Sequence, residues 1–177
     1  MRLNPDSQAA HLALGEAFHA KGALPEALAE YREALRPFSQ CSDAHFDIGR
    51  VLEDEQDFKG ARDEYSEVLP NGDFCYHIED EAEVWHHRGL VSAKLGKLWE
   101  GGEFWWDATS DLKMAANLDP GNAQIHFDYG QVLEDRENKY TRDQESALAQ
   151  YRIAHDLDPK NPRYSAEFVR LSRKLKH

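Results

Sequence analysis

The chain has 177 residues, of which 41% are hydrophobic and 11% aromatic, and this is enough for one folded domain with a continuous core. Its net charge of −12 disfavours nucleic acid and anionic membrane surfaces as partners. No apolar run approaches the roughly 18 residues of a membrane span, and the N-terminus lacks the pattern of a signal peptide. We therefore expect a cytoplasmic protein.

The first predicted unit, residues 8–41, is a pair of amphipathic helices joined by a turn at Gly22. Apolar and small residues recur in both helices at spacings of three, four and seven positions, which is typical of a buried helical stripe. The two stripes are His11, Leu14, Gly15 and Phe18, followed by Ala27, Tyr31 and Ala34.

A ten-residue phrase in the second unit, residues 42–75, occurs again in the fourth unit, residues 123–161. The phrase runs from His45 to Asp54 and from His126 to Asp135, with glycine at the fifth position of both copies. A recurrence of this kind indicates a repeat array, because each short unit needs a stacked neighbour to bury its apolar face.

The repeated phrase, the Ala–aromatic–Ala ladders and the Leu-Asp-Pro closings at 118–120 and 157–159 resemble the tetratricopeptide repeat, a helix–turn–helix unit of 34 residues. The resemblance implies an all-α, right-handed superhelical solenoid and a single domain over residues 1–177. Leu3-Asn4-Pro5 matches the closing of a repeat begun before Met1. We therefore expect either a trimmed array or a segment of a longer protein.

The third unit, residues 82–122, departs most from the family pattern. Trp85 and Gly89 keep the family positions, whereas Arg88 and Ser92 replace the leucine and the aromatic residue that the pattern predicts. Seven extra residues precede the closing at 118–120, and seven residues are nearly two helical turns. We therefore predict one long second helix over residues 98–118, loosened near its two adjacent glycines.

The fourth unit leads into a predicted capping helix over residues 162–176. Pro162 suits the first turn of a helix, and Phe168, Leu171 and Leu175 form one apolar stripe. The other positions are mostly charged, as the polar outer face of a terminal repeat requires.

The resemblance also implies a concave groove lined by the first helix of each unit. The mapped groove is acidic and presents two aromatic residues at matching places, and it consists of Asp43, Phe46, Asp47, Arg50, Asp54, His86, His87, Phe127, Asp128, Gln131 and Asp135. The first unit is plainer, with Ala9, Leu12, Ala13, Glu16, His19 and Ala20. Such a groove suits a peptide or helix that carries Lys or Arg and an apolar anchor.

The acidity of the groove is also compatible with a solvated surface, as in a salt-adapted organism. The duplicated phrase can likewise be simple descent from an older two-repeat block. Binding of chaperone tails is not expected, because the basic and amide residues that one subset of the family uses are replaced here by Leu12, Glu16, Asp47, Glu83 and His87.

An aromatic cluster near residue 100 is a second candidate interface. Trp99 and Trp106 lie seven residues apart and would share one face of the predicted long helix, while Trp105 takes the buried aromatic position. They either fill space beside an apolar strap at 74–80 or act as exposed interface anchors.

The sequence predicts no catalytic residue, cofactor or metal. His86 and His87 are adjacent and point about 100° apart on a helix, so they cannot share one ion, and His45 and His126 are expected to be hydrogen-bonded core residues. Cys41 and Cys75 lie one repeat length apart, too far for a disulfide, and are expected to be reduced.

The chain is therefore interpreted as a protein-interaction scaffold that binds a basic segment of a partner. The alternative is an oligomerisation or regulatory segment of a larger assembly, held through its basic C-terminal helix. That helix carries Arg163, Arg170, Arg173, Lys174 and Lys176 against Glu167.

Overall fold

The structure, a computed structural model, describes residues 7–36, 41–69, 81–99, 102–137 and 144–176. These ranges contain nine α-helices and no strand, which confirms the all-α prediction. No helix within them is both long and apolar enough to cross a membrane. The helices are α1 (Gln8–Ala20), α2 (Leu24–Leu35), α3 (Ser42–Asp54), α4 (Phe58–Val68), α5 (Glu81–Trp99), α6 (Gly102–Leu118), α7 (Ala123–Glu137), α8 (Gln144–Leu157) and α9 (Pro162–Lys174).

The chain divides into two compact units, residues 1–84 and 85–177. Unit 1 contains α1 to α4, and unit 2 contains most of α5 together with α6 to α9. Within each unit, sequential helices pack as helix–turn–helix pairs. The right-handed superhelix and the single domain stay predictions.

A glycine packs against a tyrosine ring in three of the helix pairs. A Cβ atom added to Gly15 or Gly49 would lie 2.5 Å from a ring carbon of the tyrosine, and one added to Gly130 would lie 2.8 Å away. Glycine is therefore needed at these positions because the helices cross too closely for any side chain. The pairs are Gly15–Tyr31, Gly49–Tyr65 and Gly130–Tyr151.

The α1–α2 turn lies at Gly22, as the sequence predicts, and this residue has a left-handed backbone conformation. Gly22 has a φ of 73°, and Gln56, thirty-four residues later in the α3–α4 turn, has a φ of 64°. The same turn geometry therefore recurs, and the second copy accepts the strain of a side chain in the left-handed region.

The α5–α6 pair corrects the predicted long helix at 98–118. Leu98 and Trp99 belong to α5, which has 19 residues, and α6 begins at Gly102 and has 17. The extra residues lengthen both helices because α5 carries a second packing glycine: an added Cβ on Gly89 would meet Leu112, and one on Gly96 would meet the buried ring of Trp105.

In the first, second and fourth repeats, a histidine four residues before the packing glycine pairs with a polar residue of the second helix. His11 Nδ1 lies 2.7 Å from Glu30, and His45 Nδ1 lies 2.6 Å from Glu64. His126 pairs with Gln150 at 2.8 Å. The predicted hydrogen bonds of His45 and His126 are confirmed, and the predicted core position is confirmed for His126, whereas His45 is half-buried.

The third repeat replaces this histidine pair with a buried ion pair. Asp111, in register with Glu30 and Glu64, is 2% exposed and accepts two hydrogen bonds from the Arg88 guanidinium, at 2.8 and 2.7 Å. The guanidinium also lies 4.6 Å from the centre of the Trp85 ring. Arg88 thus stands at a leucine position because Asp111 has become its partner.

The capping helix forms as predicted. The Asn161 side chain caps α9 by accepting a hydrogen bond from the Arg163 backbone N–H at 3.1 Å, and Pro162 is the first helical residue. Tyr164 and Leu171 are buried against unit 2.

Candidate functional site

The two copies of the repeated phrase lie on α3 in unit 1 and on α7 in unit 2. The same hydrogen bond, from a tyrosine to a glutamate, is present within each copy's own repeat. The Tyr65 hydroxyl donates to Glu53 at 2.9 Å, and the Tyr151 hydroxyl donates to Glu134 at 3.1 Å. In both copies the glutamate lies four residues after the packing glycine. Burial is the main cause that raises the pKa of each tyrosine, and the nearby carboxylate adds to it.

In unit 2 the first aspartate of the phrase is satisfied within the chain. Asp128 is buried and accepts a hydrogen bond from His86 Nε2 of α5 at 2.9 Å. It also accepts from the Gln124 amide at 2.8 Å, and the Tyr164 hydroxyl donates to the same Gln124 at 2.9 Å. Asp128 is thus part of an internal hydrogen-bond network.

Phe127 is not an exposed groove residue, so the prediction that it offers an apolar contact to a partner is wrong. Its side chain is 0% exposed, because α9 covers it. The Tyr164 ring centre lies 4.9 Å away, and the Arg163 guanidinium lies 4.4 Å from the Phe127 ring. Packing of the capping helix makes Phe127 a residue of the hydrophobic core.

The remaining predicted residues of α7 also have internal partners. Asp135 forms an ion pair with Lys97 of α5, and Gln131 accepts a hydrogen bond from Arg163 at 3.3 Å. Arg170 of α9 bonds to Glu134. The acidic positions on this face of unit 2 therefore have hydrogen-bond or ion-pair partners within the chain.

In unit 1 the equivalent aspartate, Asp47, is far less satisfied. It is 9% exposed, and it pairs with Arg50 at 3.8 Å, which is an ion-pair distance too long for a hydrogen bond. The α1 residue in register with His86 is Leu12, which has no hydrogen to donate. Burial raises the pKa of Asp47 to about 6; Arg50 opposes this rise, and Glu16 adds to it.

The other predicted residues of α3 lie on the same surface. Asp54 is exposed and accepts from His19 Nε2 of α1 at 2.8 Å. Phe46 is half-buried, with its ring 5.7 Å from that of Tyr65 and 6.0 Å from the Arg50 guanidinium. Asp43 is half-buried in the first turn of α3, where its negative charge interacts favourably with the helix dipole.

A cleft of about 210 Å³ opens beside these residues. Tyr31, which is completely buried, lines it, and the Tyr31 hydroxyl has no hydrogen-bond partner within the described part of the chain. The position that supplies Glu53 in the second repeat and Glu134 in the fourth is His19 here. Burial raises the pKa of the Tyr31 hydroxyl, and the charges of Asp47 and Glu16 raise it further. The cleft is lined by Glu16, His19, Ala20, Tyr31 and Arg50.

The family register makes the first repeat the plainest part of the groove, and it therefore does not reveal this cleft. A usable signal is present in the sequence, because His19 breaks the register that places a glutamate near the tyrosine hydroxyl elsewhere. Tyr31 itself has the pattern of an ordinary core residue.

The histidines and cysteines of the described ranges do not form a metal site, since no group of three or more His, Cys, Asp or Glu residues there could hold an ion. His86 is bonded to Asp128, and its ring centre lies 6.0 Å from that of His87. Cys41 is buried. Cys75 and the predicted strap at 74–80 lie outside the described residues, so the predictions for them stay predictions.

The second candidate interface consists of Trp99 and Trp106. The prediction that these two residues share one face of a single helix is wrong. Trp99 ends α5, whereas Trp106 lies in α6. Trp106 is 67% exposed, and Trp105 is buried against Gly96, as predicted for the aromatic position. Only the backbone of Trp99 is described.

The fold and the register of its contacts define a helical-repeat protein of stacked helix–turn–helix units. A sequence profile of the tetratricopeptide repeat family matches residues 1–40 and 31–74. This match covers residues 1–74, and these residues are therefore similar to tetratricopeptide repeats. A search of curated protein sequences found no significant match.

Solved structures show the same fold over nearly the whole chain. YrrB, described as a tetratricopeptide repeat protein with an unusual peptide-binding site, is 20% identical, with a TM-score of 0.74 over 98% of this chain and 80% of that one. PilF of Pseudomonas aeruginosa is 19% identical, with a TM-score of 0.78 over 98% and 71%. MamA of Desulfovibrio magneticus RS-1 is 18% identical, with a TM-score of 0.77 over 97% and 86%.

Proposed function

We propose that this chain is a protein-interaction scaffold whose unit 1 binds a basic segment of a partner protein. The binding surface, called here the acidic face of unit 1, consists of Glu16, His19, Asp43, Phe46, Asp47, Arg50 and Asp54 on α1 and α3. Its mechanism is recognition without chemistry, in which the helices hold charges and one aromatic side chain in fixed places.

The observation that supports this location is the contrast between Asp47 and Asp128. The chain supplies Asp128 with two hydrogen bonds, whereas Asp47 is buried beside a water-accessible cleft with Arg50 at 3.8 Å. Among the described residues Arg50 is the ion-pair partner of Asp47, at a distance too long for a hydrogen bond, and a mostly buried carboxylate held so weakly is costly. A cation from a partner would lower that cost on binding, and this favours a Lys- or Arg-bearing ligand.

The charge of the molecule supports the same class of partner. A net charge of −12 raises the local concentration of basic peptides and speeds their association, and salt screens this effect. The half-buried Phe46 beside Asp47 can contribute an apolar contact. The description of YrrB as having a peptide-binding site supports a peptide as the form of the ligand here.

The contacts of α9 do not favour the alternative of self-association through the basic C-terminal helix. Arg163 and Arg170 are used within unit 2, on Phe127, Gln131 and Glu134. Assembly through this helix stays a prediction.

The test selects ligands for the immobilised full chain from a random peptide library and measures the affinity of the selected peptides. We expect enrichment of Lys- and Arg-containing sequences, and an affinity that falls as salt rises from about 0.05 to about 0.5 M. Enrichment of acidic or uncharged peptides, or affinity that ignores salt, would contradict the proposal.

Two matched double variants then locate the site. Asp47→Asn with Asp54→Asn should weaken the selected peptides strongly, whereas Asp128→Asn with Asp135→Asn should leave their affinity nearly unchanged if circular dichroism shows that both variants are folded. The reverse result would place the site on unit 2.

A further inference from the structure

The cleft of unit 1 is chemically suited to one kind of side chain. We infer that it is a socket for a single lysine of the partner, whose ammonium group bonds to the Asp47 and Glu16 carboxylates and to the Tyr31 hydroxyl oxygen. This inference rests on the proposed function and narrows it from a basic segment to one anchoring residue type.

The first support is the buried hydroxyl of Tyr31. The equivalent hydroxyls of Tyr65 and Tyr151 donate to glutamates of their own repeats, at 2.9 and 3.1 Å. The Tyr31 hydroxyl has no partner in the described ranges, although the residue is 0% exposed. Buried polar atoms are nearly always hydrogen-bonded, so one that is unpaired at a cleft indicates a ligand group.

The second support is the missing donor at Asp47. In unit 2 an N–H group from the preceding first helix, that of His86, reaches Asp128 at 2.9 Å. In unit 1 the same position on α1 is Leu12, whose side chain has no hydrogen-bond donor. An ammonium group in the cleft would supply the N–H that His86 supplies in the other copy.

The charges around Asp47 favour a cation. On its own helix it faces Arg50 and Asp43, from α1 it faces Glu16 and His19, and from α2 the neutral Tyr31. Arg50 is the competing cation, but its side chain is 45% exposed, and 3.8 Å separates it from Asp47. His19 is committed to Asp54. A cation of the partner would therefore meet an acidic site in which Arg50, the competing cation, is held only weakly by Asp47.

Lysine fits this site better than arginine. An ammonium group is a compact charge with three donors, which suits three separate oxygens, whereas a guanidinium is a planar fork that suits one carboxylate. The cleft, at about 210 Å³, has room for about seven waters at about 30 Å³ each. An unbranched four-carbon stem can enter such a cleft and displace part of this water.

Binding of the ammonium should also release a proton. Burial raises the pKa of Asp47 to about 6, so a part of the free protein carries the neutral acid near that pH. The lysine cation favours the carboxylate form, and affinity should therefore rise as the pH increases from about 5 to about 7.

The experiment is a nuclear magnetic resonance titration of the full chain with Nα-acetyl-lysine methylamide. The norleucine derivative, which has the same stem without the ammonium group, is the matched control, and the arginine derivative tests the choice of cation. We expect saturable shifts of the amides near Glu16, Tyr31 and Asp47 with the lysine derivative. Equal shifts with norleucine, stronger binding of arginine, or no shifts in the cleft would overturn the socket.

The variants give an independent reading. Asp47→Asn should weaken the lysine derivative by about tenfold or more, because a buried charge partner is lost. Asp128→Asn, the matched change in unit 2, should not alter its affinity. Tyr31→Phe should weaken it severalfold and keeps the fold. Unchanged binding in both Asp47→Asn and Tyr31→Phe would rule out the socket.

The experiments distinguish failure of the lysine socket from failure of the proposed function. If selected basic peptides bind the acidic face of unit 1 but the lysine derivative leaves the cleft unperturbed, the socket is wrong and the proposed function stands. If no basic peptide is selected, the proposed function is wrong, whatever the small probe does.

Discussion

Helices α3 and α7 carry nearly the same ten residues and use them differently. In α7 the phenylalanine is buried and the first aspartate is bonded to a histidine of the preceding first helix. In α3 the phenylalanine is half-buried, and the partner of the aspartate within the described residues is an arginine 3.8 Å away. The phrase itself therefore does not decide whether its side chains become structural or remain available for a ligand.

The neighbours of the phrase make that decision. Two residues of α1 are decisive: Leu12 stands where α5 carries the donor His86, and His19 stands where the second and fourth repeats carry the acceptor glutamate. In unit 2 the capping helix covers Phe127 and brings Arg163 and Arg170 to the face of α7. Substitutions that remove these contacts one at a time test the comparison between α3 and α7.

The largest effect is expected at the buried ion pair that distinguishes the third repeat. Arg88→Met leaves Asp111 buried without its partner, so the free energy of unfolding of unit 2 should fall by about 3 kcal/mol. Chemical denaturation with hydrogen exchange of the α5 and α6 amides measures this loss.

The control for that prediction is the double variant Arg88→Met with Asp111→Leu. Because it removes both charges, it should recover most of the stability. A loss below about 1 kcal/mol for the single variant would mean that the pair is not desolvated.

The packing glycines should respond alike in both copies. Gly49→Ala and Gly130→Ala each place a Cβ against a tyrosine ring, at 2.5 and 2.8 Å, so each should lower the free energy of unfolding by about 2 kcal/mol. Gly102→Ala, where no atom lies within 4 Å, is the control. Thermal unfolding of the three variants gives the comparison, and a neutral Gly49→Ala would mean that the helices move apart easily.

The helical architecture could be predicted from the sequence because its signals are local and periodic. Gly15, Gly49 and Gly130 mark the helix crossings, and the alanine ladders mark the buried stripes of the second helices. The helix boundary at residues 98–102 could not be predicted from the repeat length alone, because it accompanies a tertiary contact, the packing of Trp105 against Gly96 in the added part of α5.

The groove was predicted less well, since exposure depends on which neighbouring helix covers a position. Family register places Phe127 in the groove, but no local pattern shows that α9 buries it. We propose Tyr31 and Asp47 as site residues because, within the described ranges, the Tyr31 hydroxyl has no partner and Asp47 has a distant one, and both are properties of the packed structure.

The two aspartates of the phrase should give opposite results. Asp128→Asn weakens charge-assisted hydrogen bonds and should cost about 1.5 kcal/mol. Asp47→Asn should instead stabilise unit 1 by about 1.5 kcal/mol at pH 8. A full change from 3.8 to about 6 in pKa corresponds to about 3 kcal/mol, and the lost attraction to Arg50 offsets part of it.

The stabilisation expected for Asp47→Asn should depend on pH, and the pKa of Asp47 determines the direction of that dependence. The folded pKa of Asp47 lies above its unfolded value, so the native state binds this proton more tightly, and its stability falls as the pH rises from about 4 to about 6. The benefit of Asp47→Asn should therefore be full above that range and nearly absent at about pH 4. Thermal unfolding at the two pH values checks it, and a benefit that is independent of pH would contradict the assignment.

The smallest effects are expected at the tyrosine hydroxyls. Tyr65→Phe removes a hydrogen bond to Glu53 and should cost about 1 kcal/mol, whereas Tyr31→Phe removes a hydroxyl that has no partner in the described ranges and should be neutral or slightly stabilising. Denaturant unfolding of unit 1 distinguishes the two variants. If Tyr31→Phe costs as much as Tyr65→Phe, the hydroxyl is already satisfied in the free protein, and a ligand has less to gain there. If the two differ as expected, the unpaired hydroxyl is kept at no benefit to stability, which is the behaviour of a binding group.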